Sequence, residues 1–420
     1  MTDFVAELRG RVLVCDGATG TMLHAAGNSL DRALPELNLS SVELVSTIHE
    51  SYISAGVDVI QTNTFGASRL RLASSGSAGL VRDINVAGVR IARQARDRAG
   101  RPVFIAGSVS PAVTARQRPA TAPGERIAAI REQAGALAEG GVDLLILETF
   151  GYLDELAEAV TAAAQETGLP IVAQATFASD GCTLGGETPH EVASVLAGLP
   201  VAALGTNCTL GPQQTLTVLG ELRRHCALPV SAQPNAGLPR RVPGRRFEYH
   251  IDGDYFARYA RRYVEAGASL IGGCCGTTPT HIRAAVSGVA DLRPPRRLPG
   301  GLSPRDLRPR DSGARGLAQP GPGGLAERLA RGQFAVAAEI APPPGGAGED
   351  AVDTAAALRE EGVQLFLIAP QGSTRAALGS VSLALHVRQQ RGVETIATVT
   401  TWDKTIMALQ ADLLGAHALG

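Results

Sequence analysis

The feature that most constrains the fold is an eightfold repetition in the first ~290 residues of this 420-residue chain. A short apolar run ends in polar or glycine residues, and an Ala-rich amphipathic stretch follows. The runs are Arg11–Cys15, Val57–Gln61, Val103–Gly107, Asp143–Leu147, Ile171–Ala175, Ala202–Thr206, Pro229–Gln233 and Ser269–Gly272. Helical candidates between them include Val42–Ala55, Glu125–Glu139, Leu153–Thr167 and Tyr255–Ala266. Parallel strands need such helical crossovers, because a tight turn joins only antiparallel neighbours. Eight βα units in this length predict a closed (β/α)8 TIM barrel. The rival is an open doubly wound sheet, which normally carries a Gly-rich phosphate loop and an acidic ribose partner. Here the first turn reads Asp16–Thr21 (DGATGT), and no acidic residue follows at that distance.

The pattern stops near residue 290. Positions 291–323 are rich in Pro, Gly and Arg without apolar periodicity, so they predict a linker. A second unit, 324–420, offers a helix at Leu325–Ala330 and strands at Phe334–Ile340, Val363–Ile368 and Thr395–Val399. Three parallel strands cannot close a barrel, so an incomplete second domain is expected.

Composition narrows the function. Apolar residues make up 45% and the formal charge is −1, which supports a globular protein and no nucleic-acid footprint. The N-terminal stretch has no apolar signal region, and no run reaches the roughly 18 apolar residues of a membrane span. A soluble, cytoplasmic chain without membrane partners is expected. Six cysteines are too few for a disulfide scaffold of this length. In a reducing compartment, clustered cysteines point to metal or catalysis.

In a barrel enzyme, catalytic groups sit at the carboxyl ends of the strands. The sequence places Asp16, Thr62–Thr64, Glu148, Asn207 and Cys208, Gln233 and Asn235, and Gly273–Gly276 there. Three cysteines, Cys208, Cys274 and Cys275, thus share one rim. Three thiolates with one open position describe a catalytic zinc, and thiolate favours Zn²⁺ over Mg²⁺ or Ca²⁺. The open position suits a substrate thiol, which coordination deprotonates. Three anionic ligands favour alkyl transfer to sulfur over hydrolysis. The plain alternative is that each cysteine packs as a small hydrophobe, and Cys15, Cys182 and Cys226 are read that way. Adjacent Cys274 and Cys275 could also form a vicinal disulfide. Both reach one metal only if the backbone turns between opposite faces, and Gly272, Gly273 and Gly276 give that freedom.

At these residues the chain resembles the homocysteine S-methyltransferase family. The matching motifs are DGATGT (Asp16–Thr21), QTNTF (Gln61–Phe65), LLILET (Leu144–Thr149), GTNC (Gly205–Cys208), PNAG (Pro234–Gly237) and IGGCCGTTP (Ile271–Pro279). The resemblance implies that Cys208, Cys274 and Cys275 ligate zinc and that homocysteine becomes methionine. It implies that Asp16 and Glu148 hold the amino group, while amides of the turn Gly17, Ala18, Thr19 through Thr21 receive the carboxylate. Read simply, Asp16 is a turn or cap residue, Glu148 a rim ion pair and Asn235 a turn residue. Asn63 and Asn235 are further candidates for positioning groups in the pocket.

The second unit resembles the start of methylenetetrahydrofolate reductase, on VAAEIAPPP (Val336–Pro344) and ALQADLLGAHALG (Ala408–Gly420). The whole is similar to bifunctional homocysteine methyltransferase/methylenetetrahydrofolate reductase proteins. That resemblance puts Glu339 at the proton-donor carboxylate. Thr398 stands where a His is usual, and Ala369–Ser380 lacks the Asp-Asn pattern, so FAD is expected only of a complete second domain. The methyl donor is open between a methyltetrahydrofolate-derived methyl group, S-methylmethionine and S-adenosylmethionine, with a separate methyl-carrier protein as a further partner. Betaine is disfavoured, because an aromatic cage is its usual seat and the only Trp, Trp402, lies outside the barrel. The competing functions are a flavin-dependent reductase and a non-catalytic zinc or thiol module.

Overall fold

The computed structural model describes residues 3–29, 33–242, 246–293, 324–343, 348–369, 378–400 and 406–418. Positions 294–323 of the expected linker, 370–377 and Trp402 lie outside the described residues. Two compact units result, and each is described by itself.

The first unit runs through β1 (Leu13–Val14), β2 (Val59–Gln61), β3 (Phe104–Val109), β4 (Leu144–Phe150), β5 (Ile171–Ala175), β6 (Ala203–Asn207) and β7 (Val230–Gln233). A small antiparallel hairpin, β8 (Arg240–Val242) and β9 (Arg246–Glu248), precedes β10 (Ala268–Ile271). Eight strands pair in parallel in the order β1-β10-β7-β6-β5-β4-β3-β2. A bridge between Cys15 and Val59 joins β1 to β2 and brings the sheet round into a (β/α)8 barrel. The eight expected strands are therefore present, Ile171–Ala175 with the expected bounds and the others with ends shifted by at most three residues. The helices Val42–Ala55 and Leu153–Thr167 run as expected, and the other two are Pro123–Gly140 and Gly253–Glu265.

Period-two alternation divides each strand between two cores. Leu13, Cys15, Val59, Phe104, Ala106, Leu144, Ile146, Val172, Ala203 and Leu270 form one cluster inside the barrel. The helix Phe4–Gly10 adds Phe4 and Leu8 to that cluster, and the Phe4 ring meets Phe104 edge-on at 5.4 Å. Their strand neighbours Val14, Ile60, Ile105, Leu145, Leu147, Ile171, Leu204 and Ile271 belong to the larger core shared with the helices. Strands covered on both faces read as continuous apolar runs, which is the pattern seen in the sequence.

Two to four residues beyond the inner apolar layer the chemistry changes. Gln61, Ser108, Glu148, Gln174, Asn207 and Gln233 are all buried there. The barrel interior is thus apolar at one end and polar at the carboxyl ends of the strands. Gly205 lets β6 approach β7 closely, since a Cβ at that position would overlap the Ser231 carbonyl and hydroxyl oxygens.

In the second unit β11 (Ala337–Ile340), β12 (Leu365–Ile368) and β13 (Glu394–Ala397) pair in parallel in that order. Ile340, Val352, Phe366, Leu383 and Val387 form its core. The first strand is shorter than expected: Phe334 is 93% exposed and precedes it. Among the described residues, no helix is long and apolar enough to cross a membrane.

Candidate metal centre and substrate pocket

Cys208 stands at the carboxyl end of β6, where the chain turns sharply. Cys208 and Thr209 take left-handed φ angles of 59° and 57°, a region costly for residues other than glycine and most of all for β-branched ones. The surroundings hold the turn. The Cys208 amide donates to the Gln233 carbonyl at 3.1 Å, and the Thr209 hydroxyl lies 2.6 Å from that of Thr176. Beyond β10, the Gly273 amide donates to the Asp16 carbonyl at 3.0 Å and the Cys274 amide to the Pro234 carbonyl at 2.8 Å. Gly276 then takes φ +79°, with the Tyr249 ring occupying the space a Cβ would need. The glycine-flanked turn expected from the sequence is therefore present.

These two turns bring the Sγ atoms of Cys208, Cys274 and Cys275 within 4.8 Å of one another, with Cys208 and Cys275 3.8 Å apart. Ligands on a tetrahedron with metal–sulfur bonds of about 2.3 Å would be about 3.8 Å apart. Hydrogen bonds from Cys274, then Cys275, hold the Cys208 thiol well below its usual range, while Cys274 and Cys275 are pushed up by sharing that charge. The cluster alone thus accommodates one negative charge and resists more. Asn235 is buried, its side chain hydrogen-bonds Cys208, and its Oδ1 has no hydrogen-bond partner. Three soft donors and an unsatisfied amide oxygen fit a bound Zn²⁺. Cys15 and Cys226 are buried as expected of packing residues, but Cys182 is half-exposed in a loop.

Asp16 and Glu148 sit beside this cluster, both buried. Glu148 lies within β4, not beyond it, where the register with β5 shifts between Leu147 and Phe150. Its Oε1 accepts from the Ser108 hydroxyl at 2.6 Å and its Oε2 from the Asn207 amide at 3.1 Å. The Asp16 Oδ2 accepts from the Gln61 amide at 2.9 Å. Neither carboxylate has an ion pair among the described residues, so Glu148 is no rim salt bridge; the following helix has Ala18 at its N-cap, so Asp16 is no helix cap. Burial pushes both up to about 7. Two buried carboxyl groups without a countercharge suit a cationic ligand.

The turn Gly17, Ala18, Thr19 leads into the helix Thr19–Ala25, whose first turn has no side-chain cap. The Ala18 amide is taken by the Thr277 hydroxyl at 3.1 Å. A Cβ on Gly17 would stand 2.5 Å from that hydroxyl and 2.9 Å from the Tyr52 hydroxyl, so only glycine fits. The Asn63 side-chain amide donates to the Leu34 carbonyl at 3.0 Å and to Asn38 Oδ1 at 3.0 Å. Glu339 is exposed on β11 in the second unit.

The structure gives Asn207, placed on the rim by the sequence, a definite part, and it adds Tyr249, which the sequence did not single out. Asn207 accepts from the Thr149 amide at 2.7 Å and donates to the Thr149 hydroxyl at 2.9 Å, fixing a residue with φ 63° directly after Glu148. Tyr249 follows the hairpin, and its hydroxyl is pushed up by burial and by the nearby Cys275 and Cys208. No periodicity marks Tyr249, whereas Asn207 sits inside the recognised GTNC motif. A cleft of about 1180 Å³ opens from Cys275 and Tyr249 towards the loops after β2 and β3.

Residues 13–289 match the family model described as homocysteine S-methyltransferase. The chain is 35% identical over 311 residues to a methionine synthase of Mycobacterium tuberculosis, covering 70% of this chain and 26% of that protein. A methionine synthase of Mycobacterium leprae is 34% identical over 304 residues, with 69% and 25% covered. The chain spans about a quarter of the length of these curated relatives. Among solved structures, the metallated form of the homocysteine methyltransferase MmuM from Escherichia coli is similar with a TM-score of 0.56 and 27% identity, covering 66% of this chain and 96% of that one. Its oxidized form gives a TM-score of 0.53 at 26% identity, covering 66% and 95%.

Proposed function

The chain belongs to the homocysteine S-methyltransferase family, and from that premise we propose that it transfers a methyl group to the thiol of homocysteine, giving methionine, with zinc held by Cys208, Cys274 and Cys275. The observation that carries this reading is the convergence of three thiols within 4.8 Å beside two buried, unpaired carboxyl groups. Zinc held there by the three cysteines would lower the pKa of an incoming thiol and leave it nucleophilic.

The remaining work falls to the chain's own groups. Asp16 and Glu148 take the ammonium of the amino acid, a pairing that a water-excluded pocket strengthens. Ser108 and Asn207 hold the Glu148 carboxylate in place. The uncapped first turn of Thr19–Ala25 presents amides to the α-carboxylate. Asn235, hydrogen-bonded to Cys208, orients that sulfur. The substrate is thus held at both ends of its amino-acid part, with the thiol directed to the cysteines.

The reaction is assigned to the first ~290 residues, in the cytoplasm, and Glu339 is given no part in it. The second unit resembles the start of methylenetetrahydrofolate reductase and is given no part in the transfer. The test is methionine formation by zinc-loaded protein from homocysteine and a panel of methyl donors. Wild type should form methionine with at least one donor, and Cys208→Ser and Cys275→Ser should lose both zinc and turnover. Full zinc and full activity in either variant would overturn the assignment. Flavin absorbance in the purified protein would favour the competing reading, a flavin-dependent reductase.

A further inference from the structure

The cleft leading from Cys275 contains a charge that the transfer described above does not use. Arg71 lines it together with Phe65, Gly66 and Arg116. Arg71 is half-buried on the short helix Arg69–Leu72, and its guanidinium lies over Gly66, with Nε 3.6 Å from where a Cβ on that glycine would stand. It has no carboxylate, carbonyl or ring partner among the described residues, and burial lowers its pKa without compensation. Its neighbours behave differently. Arg69 pairs with Glu132, and Arg118 pairs with Asp154 and rests over the Tyr152 ring at 4.1 Å. The other half-buried arginines each have a carboxylate, a carbonyl or a ring. A guanidinium presents five donors, and leaving it partly desolvated and unpaired is unfavourable.

The position of this charge orients whatever enters the cleft. At the cysteine end the lining is electron-rich, with three sulfurs, Asp16 and Glu148 close by. An anionic group is repelled from there and attracted to Arg71, with exposed Arg116 on the same lining adding to the attraction. Phe65, 42% exposed, offers an apolar surface beside it. We propose that Arg71 is the anion subsite of the second substrate: the methyl donor carries a carboxylate, which Arg71 receives, so that its methyl-bearing end points towards the cysteines. This rests on the methyltransferase reading and narrows the donor to carboxylate-bearing molecules.

The test is calorimetric binding to the full chain loaded with zinc and homocysteine. The probes are S-methyl-L-methionine and 5-methyltetrahydrofolate, each beside its carboxamide, on wild type, Arg71→Gln and Arg71→Lys. At least one carboxylate donor should bind wild type and lose about tenfold or more in Arg71→Gln, the usual scale for a charge-assisted hydrogen bond. Its carboxamide should bind both proteins equally weakly, and Arg71→Lys should recover part of the loss. Which donor responds distinguishes an amino-acid sulfonium from a folate. Zinc content and L-methionine affinity should not change in Arg71→Gln, which separates the effect from misfolding. Equal binding of acid and amide to wild type, an unaltered Kd in Arg71→Gln, or no binding of either donor would overturn the subsite. Arg71-dependent binding without any methionine formed would leave the subsite standing and remove the transfer reading.

Discussion

At the scale of single residues, Asp16 and Glu148 govern the account. Their carboxyl groups are raised to about 7, chiefly by burial. A carboxyl group raised in the folded state contributes stability that is complete below its unfolded pKa of about 4 and is lost as pH rises through its folded value. The ligand-free protein should therefore lose stability between about pH 4 and 7 through these two groups. An ammonium ligand reverses the penalty by pairing with the ionised forms. L-methionine, which has the same amino-acid part without a thiol, should bind more tightly as pH rises from about 6 to 8. Thermal melts with and without L-methionine across that range check both signs. A pH-independent shift would count against the two carboxylates as the ammonium seat. Glu148→Gln should weaken L-methionine by about 2 kcal/mol or more, roughly 30-fold, as expected for one partner of a buried charge pair. Zinc content should stay unchanged in that variant. If L-methionine bound Glu148→Gln as tightly as wild type, a non-catalytic zinc module would become the better reading.

At the scale of elements, the strands act as positioning devices. β6 ends at Asn207, with Cys208 directly after it, and Gly205 sets its distance from β7. Gly205→Ala should cost about 1–3 kcal/mol by overpacking against Ser231. It should also weaken zinc retention, because Asn207 and Cys208 ride on the same strand. Denaturant unfolding and metal analysis of that variant would show whether the two losses go together. The helix Phe4–Gly10 supplies the opposite control. Phe4→Ala should cost about 3–5 kcal/mol while leaving zinc content intact, since Phe4 packs in the apolar inner core and not at the site. Strand and helix identities were legible because burial on both faces writes apolar runs, and amphipathic crossovers write a 3.6 period between them. The hairpin β8–β9 and Tyr249 were not legible, because strands of three residues are too short to write an alternation in the sequence. The cysteine triad was legible as a rim placement and a motif. What brings it together, the left-handed turn at Cys208 and Thr209, leaves no mark in residue type. Arg71 was hidden for another reason: among the described arginines, only half-burial without a partner sets it apart, and residue type records neither.

At the scale of the molecule, the family match ends at residue 289, and the first unit spans nearly the whole length of the similar solved methyltransferase. A protein ending after residue 293 should therefore fold, retain zinc and bind L-methionine as the full chain does. Loss of zinc binding in that shortened protein would show that the second unit contributes to the site. The central claim is that Cys208, Cys274 and Cys275 together hold zinc with a place left for the substrate sulfur. Zinc X-ray absorption on the full chain, without and with homocysteine, tests it most directly. The three cysteines of the cluster predict three sulfur neighbours around zinc alone and a fourth once homocysteine is added. A sulfur count below three, or one that homocysteine leaves unchanged, would contradict it.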